Sequence, residues 1–112
     1  MKRLRAKELD QLRKTNPTLT VINVLAREEH ERQHIPGSRN VPVKREDFVE
    51  RVENVVDQKD RPVAVYCASE TCQSSPTAAR RLEEAGFQQV YDFEGGIAEW
   101  RREGFPLEGS RV

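Results

Sequence analysis

The sequence predicts an α/β domain with a central parallel β-sheet flanked by helices on both faces. Three observations carry this. Short apolar runs alternate with amphipathic helical patterns along the whole chain. The run Val63-Ala64-Val65-Tyr66-Cys67 is apolar at every position, as a parallel strand covered on both faces must be. No repeat, low-complexity tract or Pro/Gly/Ser-rich linker breaks the alternation. The 112 residues hold one core, so residues 1–112 are read as a single domain, and an enzyme with a separate cofactor-binding half is excluded.

Each element has a local reason. Leu4, Leu9 and Leu12 recur at helical spacing and end at Asn16-Pro17; Leu19 to Leu25 then reads as a buried strand. Arg27 to Gln33 is a charged helical stretch, broken by His34-Ile35-Pro36-Gly37. Val41 and Val43 suggest a very short strand, and Phe48, Val49, Val52, Val55 and Val56 a helix from about Arg45 to Val56. Pro62 introduces the strand that delivers Cys67. A helix follows from about Pro76 to Ala85, with Ala78, Ala79, Leu82 and Ala85 inward, Ser75 suited to the N-cap and Pro76 to the first helical position. Gly86 stops it. Phe87 to Phe93 contains another strand, Gly95-Gly96 a turn, and Ile97 to Arg102 a last helix whose Trp100 packs on the sheet. The βαβαβ order implies right-handed crossovers.

Composition narrows the function classes. Nineteen basic residues balance nineteen acidic ones, for a formal net charge of zero, which leaves no overall field for nucleic acid or an anionic membrane. No apolar run approaches membrane-spanning length. The basic start Met1-Lys2-Arg3-Leu4-Arg5 runs into further charges where a secretory signal needs an apolar stretch, so a cytoplasmic protein is expected. The two cysteines, Cys67 and Cys72, share one short segment, where a disulfide would close a trivial loop. Chemistry explains them better than cross-linking. With His30 and His34 they make no familiar zinc spacing, and no metal is expected.

Cys67 occupies the position where open parallel sheets place their ligands, beyond the carboxyl end of a strand and before a helix start. The helix N-terminus favours thiolate over thiol and can hold an anion. Two readings of the residues stay open: a nucleophile, or a small apolar side chain finishing a buried strand.

Four segments in order, Ile22-Asn23-Val24, His34-Ile35-Pro36-Gly37-Ser38-Arg39-Asn40-Val41-Pro42, Val65-Tyr66-Cys67, and Glu94-Gly95-Gly96-Ile97-Ala98-Glu99-Trp100 with Gly104-Phe105-Pro106, resemble a single-domain rhodanese-like protein from about Leu4 to Glu108. The resemblance implies a sulfurtransferase in which Cys67 takes sulfane sulfur from thiosulfate or a persulfide donor and passes it from its own persulfide to a thiophilic acceptor, a small-molecule or protein thiol. Ala68, Ser69, Glu70, Thr71, Cys72, Gln73, Ser74 and Ser75 would form the anion-binding loop. No cofactor is implied, because main-chain amides stabilise the charge.

The chain also departs from that family. Seven residues, Ala68 to Ser74, separate Cys67 from Ser75, where about five are usual. A related phosphatase-type loop would carry an arginine where Gln73 stands, so bidentate oxyanion capture is not expected. Glu70 opposes a dianion such as thiosulfate, which favours a persulfide donor; Arg80 and Arg81 are the candidates to compensate. Asn23, Leu25 and Gln33 replace a usual aspartate, arginine and glycine, the first two read as packing substitutions. Cys72 is the candidate resolving thiol. His34 is read as structural, His30 as solvated, Trp100 and Phe105 as core, and Arg101-Arg102 as a solvated helix face. Two alternatives to the enzyme are a non-catalytic rhodanese-like binding module and a Cys67/Cys72 dithiol redox protein.

Overall fold

The computed structural model describes residues 1–111. In chain order the elements are β1 Lys2–Arg3, α1 Ala6–Thr15, β2 Thr20–Asn23, α2 Arg27–Arg32, β3 Arg39–Asn40, α3 Phe48–Val55, β4 Val63–Tyr66, α4 Ser74–Glu84, β5 Val90–Phe93 and α5 Gly96–Arg102. The strands form one all-parallel sheet in the order β1-β5-β4-β2-β3. β4 lies in the middle and is buried at all four positions, which is why its sequence shows no polar face.

Alternation along the strands builds two cores. Ile22, Val24, Val63, Val65, Cys67 and Val90 pack with α3, through Phe48 and Val52, and with α4, through Ala78, Ala79 and Leu82. Val21, Ala64, Tyr66 and Phe93 pack on the opposite face with α1, through Leu9, and α5, through Ile97 and Trp100. Trp100 stacks on Phe105 with ring centroids 4.5 Å apart and donates its indole N–H to Pro106 O at 2.8 Å. α2 buries none of its residues, as its charged sequence requires.

Four boundaries differ from the sequence reading. The strand expected at Val41 and Val43 is Arg39–Asn40. Val41 and Val43 still donate to Asn23 O and Val24 O, at 3.0 and 3.1 Å, but Pro42 between them has no N–H and the regular ladder stops. α3 begins at Phe48 instead of Arg45, after a turn in which Arg45 pairs with Asp47 at 2.8 Å. α4 begins at Ser74, with Gln73 at its N-cap; Ser75 is therefore in the first turn rather than capping it, and Pro76 is the third helical residue. β1 was not expected: two exposed residues carry no apolar pattern, and backbone pairing with β5 alone defines it.

The His-Ile-Pro-Gly segment serves the sheet. Tyr66, fully buried, receives hydrogen bonds from Asn23 Nδ2 at 3.1 Å and Ile35 N at 3.0 Å, and its hydroxyl lies 2.8 Å from Ser38 Oγ. Burial pushes the phenol above its ordinary pKa, against the opposing pull of its Ser38, Ile35 and Asn23 partners. Asn23 Oδ1 in turn accepts from Leu25 N at 2.9 Å. Asn23 is thus a structural tie. His34 is also structural: it stacks on His30 at 4.0 Å and exchanges two backbone hydrogen bonds with Glu108.

Removing the phenol oxygen leaves the Asn23 amide and the Ile35 N–H buried without their acceptor. Tyr66→Phe is expected to lower unfolding free energy by about 1–3 kcal/mol, measured by denaturant titration; an unchanged midpoint would contradict the role given to this network.

Candidate active site

The site begins where β4 ends. Cys67 O accepts from Ile97 N at 3.1 Å and Ala68 O from Ala98 N at 2.9 Å, so the first amides of α5 take up the two carbonyls that leave the sheet. This contact needs Gly96. Its φ is +58°, and a Cβ there would lie 2.2 Å from Cys67 O. The chain then turns back: Cys72 N donates to Ser69 O at 3.0 Å, and the Ser69 and Thr71 hydroxyls meet at 3.0 Å. Ala68, Glu70, Thr71 and Gln73 are exposed, Ser69, Cys72 and Ser74 half-buried, and Cys67 and Ser75 buried.

All nine expected site residues share this one loop, but the electrostatics are not those expected. Cys67 is 0% exposed, and its thiol faces the carbonyls of Cys72 at 3.7 Å and Ser69 at 3.9 Å. Burial first, and then the hydrogen bond to Cys72, push its pKa up to about 11, with the Ser75 hydroxyl and amide pulling the other way. Cys72 is shifted down: burial opposes ionisation, but the Cys67 thiol, the Ser74 amide and hydroxyl, and the Ala68 amide together outweigh it. The cradle of amides foreseen around Cys67 is therefore centred on Cys72. Among the described residues, the Ser75 amide and hydroxyl favour ionisation of Cys67. Cys72 is the thiol that ionises the more readily.

One buried group beside the site was missed. Asp92, at 0% exposure on β5, is paired in register with Val65 and so faces the same side of the sheet as Cys67. Burial raises its pKa, the nearby Ser75 hydroxyl lowers it, Glu94 raises it and Arg3 lowers it. Neither carboxylate oxygen nor Ser75 Oγ completes a hydrogen bond. The available signal was a carboxylate inside the otherwise apolar run Val90-Tyr91-Asp92-Phe93.

Two clefts flank the loop. One, of about 260 Å³, joins Ala68 to Arg32, Arg101 and Arg111, with Glu29 as its acid. The other, of about 230 Å³, joins Glu70 to Arg3, Arg5, Glu94 and Glu99. Arg81, a candidate to compensate Glu70, is directed elsewhere: it donates to Val43 O at 2.7 Å and lies over the Phe48 ring. Arg80 is exposed on α4. No helix among the described residues is long and apolar enough to cross a membrane.

Thiolates react with alkylating agents and thiols do not. Iodoacetamide at neutral pH is expected to modify Cys72 at least about tenfold faster than Cys67, with Cys67 catching up only as the pH rises toward 11. Peptide mass mapping over time checks this; equal rates, or Cys67 first, would contradict the charge distribution.

Known proteins share this architecture. The sequence profile of the rhodanese-like domain matches residues 5–103. The HTH-type transcriptional regulator Rv0324 of Mycobacterium tuberculosis is 33% identical over 95 residues, covering 84% of this chain and 40% of the regulator. Thiosulfate sulfurtransferase GlpE of Vibrio cholerae is 41% identical over 51 residues, 46% of either chain. The crystal structure of the Alr3790 protein from Anabaena superposes with a TM-score of 0.83 at 31% identity, over 95% of this chain and 80% of that one. The chain thus spans less than half the length of these two curated relatives.

Proposed function

The chain belongs to the rhodanese-like domain family, and from that premise we propose that it is a sulfurtransferase, moving sulfane sulfur from thiosulfate or a persulfide donor to a thiophilic acceptor through a persulfide on Cys67. The observation that carries this is the placement of Cys67: at the carboxyl end of the central strand, its carbonyl pinned by α5 and the Ser75 amide turned toward its sulfur. The name of the partly matching Vibrio protein, a thiosulfate sulfurtransferase, supports the same reaction class.

The chemistry has two covalent steps. As the turn opens and the donor approaches, Cys67 loses its proton to solvent and attacks the sulfane atom, forming a new S–S bond and releasing the remainder of the donor with the bonding pair. An acceptor nucleophile then attacks the outer sulfur and releases Cys67 thiolate. Because Cys67 is fully buried, the Ser69–Cys72 turn must swing aside to admit either reactant. One backbone hydrogen bond and one hydroxyl contact close that turn, so opening it is inexpensive beside unfolding. Glu70 repels a dianion, whereas the cleft bearing Arg32, Arg101 and Arg111 beside Ala68 offers an anionic donor an approach. A singly charged persulfide suits this loop better than thiosulfate.

The burial and raised pKa of Cys67 favour a second reading, a binding module in which Cys67 only completes the core. Mass spectrometry after incubation with thiosulfate or polysulfide, with cyanide-dependent turnover, separates the two. The sulfurtransferase gains one sulfur atom on Cys67 and loses more than about a hundredfold in turnover in Cys67→Ala. No adduct in the wild type, or undiminished turnover in Cys67→Ala, would leave the binding module.

A further inference from the structure

The loop holds a second thiol that the two transfer steps do not use. Cys72 closes the Ser69–Cys72 turn directly over Cys67, so that the buried sulfur lies 3.7 Å from Cys72 O, and Cys72 packs against the same apolar cluster that contains Cys67. Cys72 is half-buried whereas Cys67 has no solvent contact. A persulfide on Cys67 therefore meets Cys72 before it meets any molecule from solution, and intramolecular attack has the advantage of proximity.

We propose that Cys72 resolves the Cys67 persulfide, giving the protein a sulfide-releasing activity that ends in a Cys67–Cys72 disulfide; this rests on the sulfur-carrying role of Cys67 above. The Cys72 thiolate attacks Sγ of the protonated persulfide. A bond forms between the two Sγ atoms, the bond from Cys67 Sγ to the sulfane sulfur breaks, and hydrosulfide leaves with that electron pair. The sulfane sulfur is reduced by two electrons and the cysteine pair is oxidised by two. A dithiol reductant then returns both cysteines to thiols. Attack on Sγ expels hydrosulfide, a better leaving group than an alkyl thiolate, and joins the two Sγ atoms, whereas attack on the outer sulfur would only pass that sulfur from Cys67 to Cys72. One backbone hydrogen bond and one hydroxyl contact close the Ser69–Cys72 turn, so the approach a disulfide requires falls on backbone held by few contacts.

The test loads wild type, Cys72→Ser and Cys72→Ala with polysulfide under anaerobic conditions, removes excess donor, and measures hydrosulfide and the mass of the 67–75 peptide. In wild type, stoichiometric hydrosulfide and a peptide two hydrogens lighter are expected, reversed by dithiothreitol. Both variants are expected to keep the extra sulfur on Cys67 and release no hydrosulfide. A wild-type persulfide as long-lived as that of the variants, without disulfide, would overturn the proposal while leaving sulfur transfer standing. No sulfur on Cys67 in any of the three proteins would overturn both.

Discussion

The site depends on the seating of α5 on the end of β4. Two amides from the first turn of a helix reach two consecutive carbonyls where the central strand stops, and a glycine lets the backbones approach. Cys67 and Ile97 are buried, so the carbonyl of the one and the amide of the other would otherwise be left unpaired, at a cost that native proteins rarely accept. The contact decides where the sheet ends, and therefore which residue is the last to point into the core and which the first free to turn outward. Cys67 is the former and Ala68 the latter.

From that boundary the asymmetry of the cysteines follows. The strand direction buries Cys67 with Val65 and Val63, and a buried thiol without a cation beside it keeps its proton. Five residues later the chain has turned back toward α4, where Cys72 meets the amides of Ala68 and Ser74 and the positive end of a helix of eleven residues. Cys67 is shielded and holds its proton the more tightly, and Cys72 is half-buried and ionises the more readily. This division suits the storage and release of sulfur proposed above.

Much of this was legible in the sequence, for physical reasons that differ from element to element. β4 announced itself because a strand buried on both faces has no polar positions, and α1 and the last helix because their apolar residues recur at helical spacing. The grouping of the nine loop residues followed from position alone. What the sequence did not disclose is whatever depends on the path of the loop backbone. Ser75 and Pro76 have the chemistry of a cap and a first helical residue, yet the longer loop lets the helix begin at Ser74, and Gln73 takes the cap. Which sulfur the amides face is set by the same path, so the charge fell on Cys72. β1 escaped notice because two exposed residues, Lys2 and Arg3, carry no apolar pattern and join the sheet through main-chain pairing with β5.

The seating of α5 is tested most directly by placing a methyl group in the contact. In Gly96→Ala the amides of Ile97 and Ala98 are expected to lose their protection from hydrogen exchange and Cys67 to become readily alkylated at neutral pH, while the neighbouring strand β2, at Ile22 and Asn23, keeps its protection. If Ile97 and Ala98 exchange as slowly as in the wild type and Cys67 stays unreactive, α5 does not govern the site, and the arrangement of the two thiols must have another origin.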